Sequence, residues 1–180
     1  MFRFRKIAQI AAPFCVLALL GCFGGVKNTG KVLDYKPGKV ITKQGFYQVG
    51  ELSSEWYRIK LGIAAINFRN DRLKSTISTD AFCEQAFDDA PLNALTRHLF
   101  AGLQDVKVEK ETPFTMSDRG ALRTTLRASL DGVPVKIETV VVKKDWCLFD
   151  FYLVSPPETF SSALPDFEHF FQGFQYTGEI

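Results

Sequence analysis

Hydrophobic and polar positions repeat with two different periods along the chain, and the change of period marks its elements. Phe46 to Val49 and Trp56 to Leu61 are short apolar-rich runs around Glu51-Leu52-Ser53-Ser54, so two strands are expected there. Ala64, Ile66 and Phe68 alternate with Ala65 and Asn67 and predict a third strand before the polar break Asn70-Asp71-Arg72. Leu73 to Thr79 is its expected partner. The period then lengthens. After Asp88-Asp89-Ala90-Pro91, which suits a helix start, Leu92, Leu95, Leu99 and Leu103 recur at helical spacing with Phe100 beside them. Asn93, Arg97 and Gln104 take the other side, which predicts an amphipathic helix laid on a core.

The strongest pairing signal is Asp131-Gly132, the dipeptide of a type I′ hairpin turn. A two-residue loop there sets Leu130 opposite Val133, Ala128 opposite Val135, Leu126 opposite Ile137 and Leu122 opposite Val141, an apolar face expected to be core. The other face pairs Arg127 with Lys136, Thr125 with Glu138 and Arg123 with Val140. Glu138 then lies within diagonal reach of Arg123 and Arg127, on a face expected to be solvated or lightly covered. A turn at Lys143-Lys144-Asp145 leads into a strand from Trp146 to Val154, ended by Pro156-Pro157. A last helix, interrupted or restarted at Pro165, places most of Phe167, Phe170, Phe171 and Phe174 on one stripe. The pattern predicts one α+β domain over residues 44–180, a curved antiparallel sheet with helices packed on it.

The N-terminus follows a different logic. Arg3, Arg5 and Lys6 precede an uncharged, mostly apolar run from Ile7 to Leu20, which is short for a membrane span and suits an export signal. The run ends Leu19-Leu20-Gly21-Cys22 and resembles the lipobox of bacterial lipoproteins, with Leu20 bulkier than the residues commonest at that position. That resemblance implies a signal peptide over 1–21, cleavage before Cys22, and diacylglyceryl transfer to its thiol. Two or three acyl chains, palmitate among them, would then anchor the protein. The competing reading is an uncleaved anchor with an incidental cysteine. Phe23, rather than Asp, after the acylated cysteine implies the outer membrane, facing the periplasm. Residues 22–43, with Gly24, Gly25, Gly30 and Pro37-Gly38, read as acylated cysteine and flexible tether, with Val32 to Tyr35 as the part open to a packed arm.

Charge changes the picture once this leader is set aside. The whole chain has 22 Lys+Arg against 20 Asp+Glu, and three of the basic residues lie before position 22. The body is therefore near-neutral, without the basic excess that nucleic acid demands, and no nucleic-acid partner is expected. A composition of 46% hydrophobic and 23% charged residues over 180 positions is that of one globular domain plus a targeting segment.

Candidate chemistry is sparse. Cys83 and Cys147 remain after Cys15 leaves with the leader and Cys22 is assigned to lipid. In an oxidising compartment they read either as a disulfide or as two separately buried thiols. His98 and His169 both fall in helical segments and read as helical surface or half-buried residues, not as bases. No spacing suggests a metal site, and no phosphate-cradling or nucleophile motif occurs, so no catalytic residue, metal or cofactor is expected. Asp150 is the one acid in the apolar run Leu148-Phe149-Asp150-Phe151-Tyr152. It reads as a member of a polar site with Arg123, Arg127 and Glu138, or as an acid on the partly solvated sheet face, paired with an arginine of the neighbouring hairpin.

The order of short strands, mid-chain helix, long meander and aromatic C-terminal helix resembles the PsbP-like fold over about residues 45–175. It is carried by Val108 to Pro113, Gly120-Ala121-Leu122, Asp131-Gly132 and Phe167 to Phe174. The resemblance implies an α/β/α sandwich, shared by photosystem extrinsic subunits and several bacterial lipoproteins, that hosts scaffolding, assembly and binding roles. The expectation is a non-enzymatic, lipid-anchored envelope protein serving as a binding or assembly factor for an envelope protein partner. The second reading is a carrier of lipid or another apolar ligand, with phenylalanine rings lining a cavity under the C-terminal helix. The third is an envelope hydrolase.

Overall fold

A computed structural model describes residues 31–43, 45–61, 66–83 and 90–176. The residues read as a signal peptide, Cys22 and the start of the expected tether lie outside the described residues, as do Asp88 and Asp89. The folded part begins earlier than the sequence pattern implies. Within the span read as tether, β1 (Val32–Lys36) and β2 (Lys39–Thr42) form a hairpin, and β3 (Gly45–Gln48) completes a three-stranded sheet. Val32, Val40 and Tyr47 are buried, and that burial holds the arm in place.

The main sheet is seven-stranded and antiparallel. Its members are β4 (Tyr57–Ile59), β5 (Ile66–Asn70), β6 (Ser75–Cys83), β7 (Gln104–Met116), β8 (Arg119–Leu130), β9 (Val133–Lys144) and β10 (Cys147–Ser155), in the order β4-β5-β6-β10-β9-β8-β7. The chain builds three strands, crosses one face of the sheet to the far edge, and returns as a meander until β10 pairs with β6. That crossing carries α1 (Leu92–His98), which fixes α1 to one face; α2 (Phe160–Gln172) follows β10 and lies on the other. The result is an α/β/α sandwich.

The register from Asp131-Gly132 is the expected one, from Leu130↔Val133 through Leu126↔Ile137 to Leu122↔Val141. Asp131 and Gly132 both have positive φ, 51° and 80°, as the I′ turn requires. Two elements differ from expectation. Helix α1 ends at His98 instead of running to Leu103, and Gly102, at φ 86°, turns the chain into β7. Trp146 is not a strand residue: with Asp145 it forms the β9–β10 turn at φ 65° and stands 62% exposed.

Helix α2 runs unbroken through Pro165. Pro165 and Ser161, whose carbonyl the proline leaves unbonded, are both exposed, so water can take that carbonyl. The helix is fastened at its middle and near its C-terminal end. Trp56 Nε1 donates to Asp166 Oδ2 at 2.8 Å, and Gly50 N donates to Phe170 O at 2.8 Å. The second contact needs a glycine: a Cβ on Gly50 would sit 2.1 Å from His169 O.

The two sheet faces are filled differently. Under α2 and β3, Ile77, Ala81, Val140, Val142, Phe149, Phe151 and Leu153 meet Tyr47, Phe167, Phe170, Phe171 and Phe174 in the principal core. Tyr47 stands edge-on to Phe149, with ring centroids 5.1 Å apart, and Phe151 does so to Phe170 at 6.2 Å. This is the face carrying Arg123, Arg127 and Glu138: it is deeply covered from Glu138 onward, under α2, while Arg127 nearer the hairpin turn stands exposed as expected. The opposite face holds two smaller apolar clusters, around Leu126, Ala128, Val135 and Ile137 and around Leu95, Val141 and Leu148.

Candidate functional site

Between those two smaller clusters the α1 face is polar. The strand registers align Asn67, Ser78, Tyr152, Thr139 and Thr124 in one row across five strands. All but the half-buried Tyr152 are fully buried. Ser78 donates to Asn67 Oδ1 at 2.7 Å, but the hydroxyls of Thr124 and Thr139, which face each other, make no hydrogen bond. One row further along, Asp80 on β6 stands directly opposite Asp150 on β10. The side chains are 6% and 3% exposed.

A carboxyl pair in such a place is costly to ionise, because neither charge can be hydrated and each repels the other. Asp80 accepts a hydrogen bond from Ala81 N at 2.9 Å, while Asp150 Oδ1 has no hydrogen-bond partner among the described residues. Burial pushes the Asp80 carboxyl up to about 7 despite that bond. Burial, reinforced by Asp80, pushes Asp150 up to about 8. The same surroundings raise the Tyr152 phenol. No lysine or arginine is paired with either acid among the described residues.

Asp150 forms part of the wall of a cavity of about 280 Å³ between α1 and the sheet. Phe82, Leu95, Leu99 and Leu148 supply the apolar lining, and His98 stands at its mouth. Each element contributes for a local reason. Leu95 and Leu99 lie one helical turn apart and point at the sheet, and Leu148 and Asp150 lie two apart on β10 and share its face. Lys143, on the same face, donates to Ala90 O at 2.9 Å and ties the start of α1 to β9.

The sequence grouped Asp150 with Arg123, Arg127 and Glu138, and the structure separates them. Arg123 and Glu138 do pair, but on the α2 face, where Arg123 also reaches Glu168 of α2 at 2.7 Å and lies over the Phe171 ring. Burial opposes the charge of Arg123, yet the two carboxylates outweigh it and raise its pKa. Arg127 turns instead to Glu109 on the edge strand at 2.5 Å, which Lys136 also holds at 2.9 Å. These pairs clamp α2 and β7 to the sheet. Asp150 is therefore neither solvated nor paired to a hairpin arginine: strand alternation sends it to the opposite face, where its partner is Asp80. That residue escaped sequence reading because the predicted strand stopped at Thr79 and no local pattern pairs that strand with β10.

Cys83 and Cys147 stand directly opposite on β6 and β10, with Cα atoms 4.0 Å apart, and form a disulfide. A link across a sequence separation of 64 removes loop entropy worth roughly 4 kcal/mol. His98 and His169 are exposed helical residues, as expected. The rings of α2 fill the core; a cavity lies under α1, and two larger clefts of about 420 and 400 Å³ flank α2, the first lined by Phe114, Arg123 and Phe171 and the second by Arg123, Glu138 and Phe160.

No family model and no curated protein sequence matches the chain. Solved structures share its fold. The solution structure of cyanobacterial PsbP (CyanoP) from Synechocystis sp. PCC 6803 aligns over 88% of this chain and 99% of its own, at 13% identity and a TM-score of 0.55. A crystal structure from Bacteroides thetaiotaomicron VPI-5482 aligns over 84% of this chain at 12% identity and a TM-score of 0.57, and the match spans half of that protein's length. At such identities the likeness is one of architecture, and it supports the α+β sandwich read from the strand and helix order.

Proposed function

We propose that this chain is a lipid-anchored lipoprotein of the bacterial cell envelope, held through Cys22 at the outer membrane with its sandwich domain facing the periplasm. Its role in this reading is a non-enzymatic binding or assembly factor. One observation carries the compartment: of the cysteines beyond the leader's apolar run, Cys22 ends a lipobox-like Leu-Leu-Gly-Cys and the other two are bridged. Disulfides persist in oxidising compartments such as the periplasm and are rare in reducing cytosol, so the bridge agrees with the leader. The test is incorporation of labelled palmitate by the full chain in an envelope-bearing bacterial host. Label and membrane association are expected for the wild type and lost in Cys22→Ala; an unlabelled wild-type chain retaining Met1 would overturn the anchor.

The α1 cavity favours a second reading, a carrier or sensor of a small apolar ligand. Its lining is mainly leucine and phenylalanine with a few convergent polar groups, the usual make-up of a small-molecule site. Organic extraction of protein purified from its host, followed by mass spectrometry, is expected to yield a stoichiometric apolar compound. Extracts free of any such compound would count against the carrier reading and leave the anchor untouched.

A further inference from the structure

We propose that the cavity under α1 is a binding site for a small apolar amine, its ammonium group held by Asp150, with Asp80 behind that carboxyl, and its apolar body by Phe82, Leu95, Leu99 and Leu148. This rests on the carrier reading and names the ligand chemistry, but it is independent of the lipid anchor.

Four features converge on a cation. Asp150 is almost wholly buried and its Oδ1 makes no hydrogen bond among the described residues, which costs about 1–3 kcal/mol for a buried polar atom left unpaired. The neighbouring group across the strand is a second acid, so the site concentrates carboxyl groups, with no lysine or arginine paired to them among the described residues. Asp150 also lines the cavity, which places its carboxyl within reach of an occupant. The remaining lining is apolar apart from His98, so an occupant has one place for a polar head and leaves the rest of its surface to side-chain contact. A volume of about 280 Å³ sits near the low end of small-molecule pockets and exceeds the roughly 150 Å³ that admits benzene in an engineered apolar cavity.

The charge logic distinguishes an amine from other head groups. A carboxylate ligand would add a third acid. An alcohol could donate one hydrogen bond but would not neutralise the pair. An ammonium does both, and by doing so draws the proton off the carboxyls. The groups facing the pair are Asp80 from β6, Tyr152 from β10 itself, Lys143 from β9, already bonded to Ala90 O, and His98 from α1; Tyr47 faces them through the sheet from β3. Binding is therefore coupled to proton release. Affinity should rise with pH as the pair, raised to about 7 and about 8, gives up its protons, while the amine itself stays charged.

The experiment is calorimetric titration of the purified full chain with 2-phenylethylamine, beside 2-phenylethanol and phenylacetate, which share its ring and differ in the head group. The expected result is saturable amine binding about tenfold or more tighter than either analogue, strengthening about tenfold between pH 6 and pH 8. Asp150→Asn, close to isosteric, should lose about tenfold in affinity and most of the pH dependence while its circular dichroism stays that of the wild type. Absence of saturable binding of any of the three compounds overturns the site. Equal or stronger binding of the alcohol or the acid overturns the amine assignment, as does unchanged pH dependence in Asp150→Asn. Because the three-compound comparison uses the wild type, it decides the matter even if the variant fails to fold.

Discussion

The two faces of the seven-stranded sheet use one set of strands to opposite ends. Toward α2, alternate residues of β10 contribute Phe149, Phe151 and Leu153, which interlock with rings from β3 and α2; its buried charge, Glu138, is met by Arg123. Toward α1, the intervening residues of the same strand contribute Leu148, Asp150 and Tyr152, and its buried acids face one another without a cation. One face has its buried charge paired and its rings interlocked, with open clefts along the flanks of α2. The other retains a cavity, an unpaired carboxyl oxygen and two unbonded hydroxyls. The contrast teaches where stability and function are divided in this domain: a well-packed face can hold the fold while its reverse tolerates groups that cost stability.

If that division is right, the largest loss should come from the α2 face. Phe151→Ala removes a fully buried ring in contact with Tyr47, Phe170 and Phe174 and should cost about 3–5 kcal/mol in urea denaturation. A loss below about 1 kcal/mol would mean that this face is not the principal core. Arg123→Ala comes next. It leaves Glu138 buried without its cation, and because Arg123 is 28% exposed, water can partly replace it, so about 2–3 kcal/mol is expected.

The α1 face should respond to pH in the opposite sense from a salt-bridged core. The folded-state pKa values of Asp80 and Asp150 stand above the unfolded carboxylate value of about 4, so the folded chain holds more protons between that value and about 7 to 8. Stability is therefore highest, for these two groups, below the unfolded value and falls as pH rises through the folded ones. Asp150→Asn should flatten that slope; an equally steep decline in the variant would place its origin elsewhere. The smallest effect belongs to Thr139→Val. It removes a buried hydroxyl that makes no bond and should be neutral or stabilising by about 1 kcal/mol or less, where the same deletion of a bonded group would destabilise.

Much of this was legible in advance because its determinants are local. Asp131-Gly132 can adopt the positive φ values of a two-residue turn, and that turn alone fixes which residues of β8 and β9 face each other. The α2 stripe of phenylalanines declares its apolar side by spacing. What misled was inference from a single pair of strands. Arg127, Lys136 and Thr125 made one hairpin face look wet, yet Val140 and Val142 further along the same face lie at the centre of the core. Boundaries failed for a related reason: β1 and β2 are held by burial against distant parts of the chain, which no local pattern announces.

The sequence by itself determined the hairpin register, the α+β order of elements and the alternation that puts Asp150 on the same side as Leu148. Only the tertiary structure decided that β6 is the neighbour of β10. That single long-range pairing sets Cys83 against Cys147 and Asp80 against Asp150, and the crossing of α1 then roofs the acids. The reason is physical. Turn and helix preferences act between residues a few positions apart, whereas strand neighbours distant in sequence are selected by how much surface the assembled layers bury together.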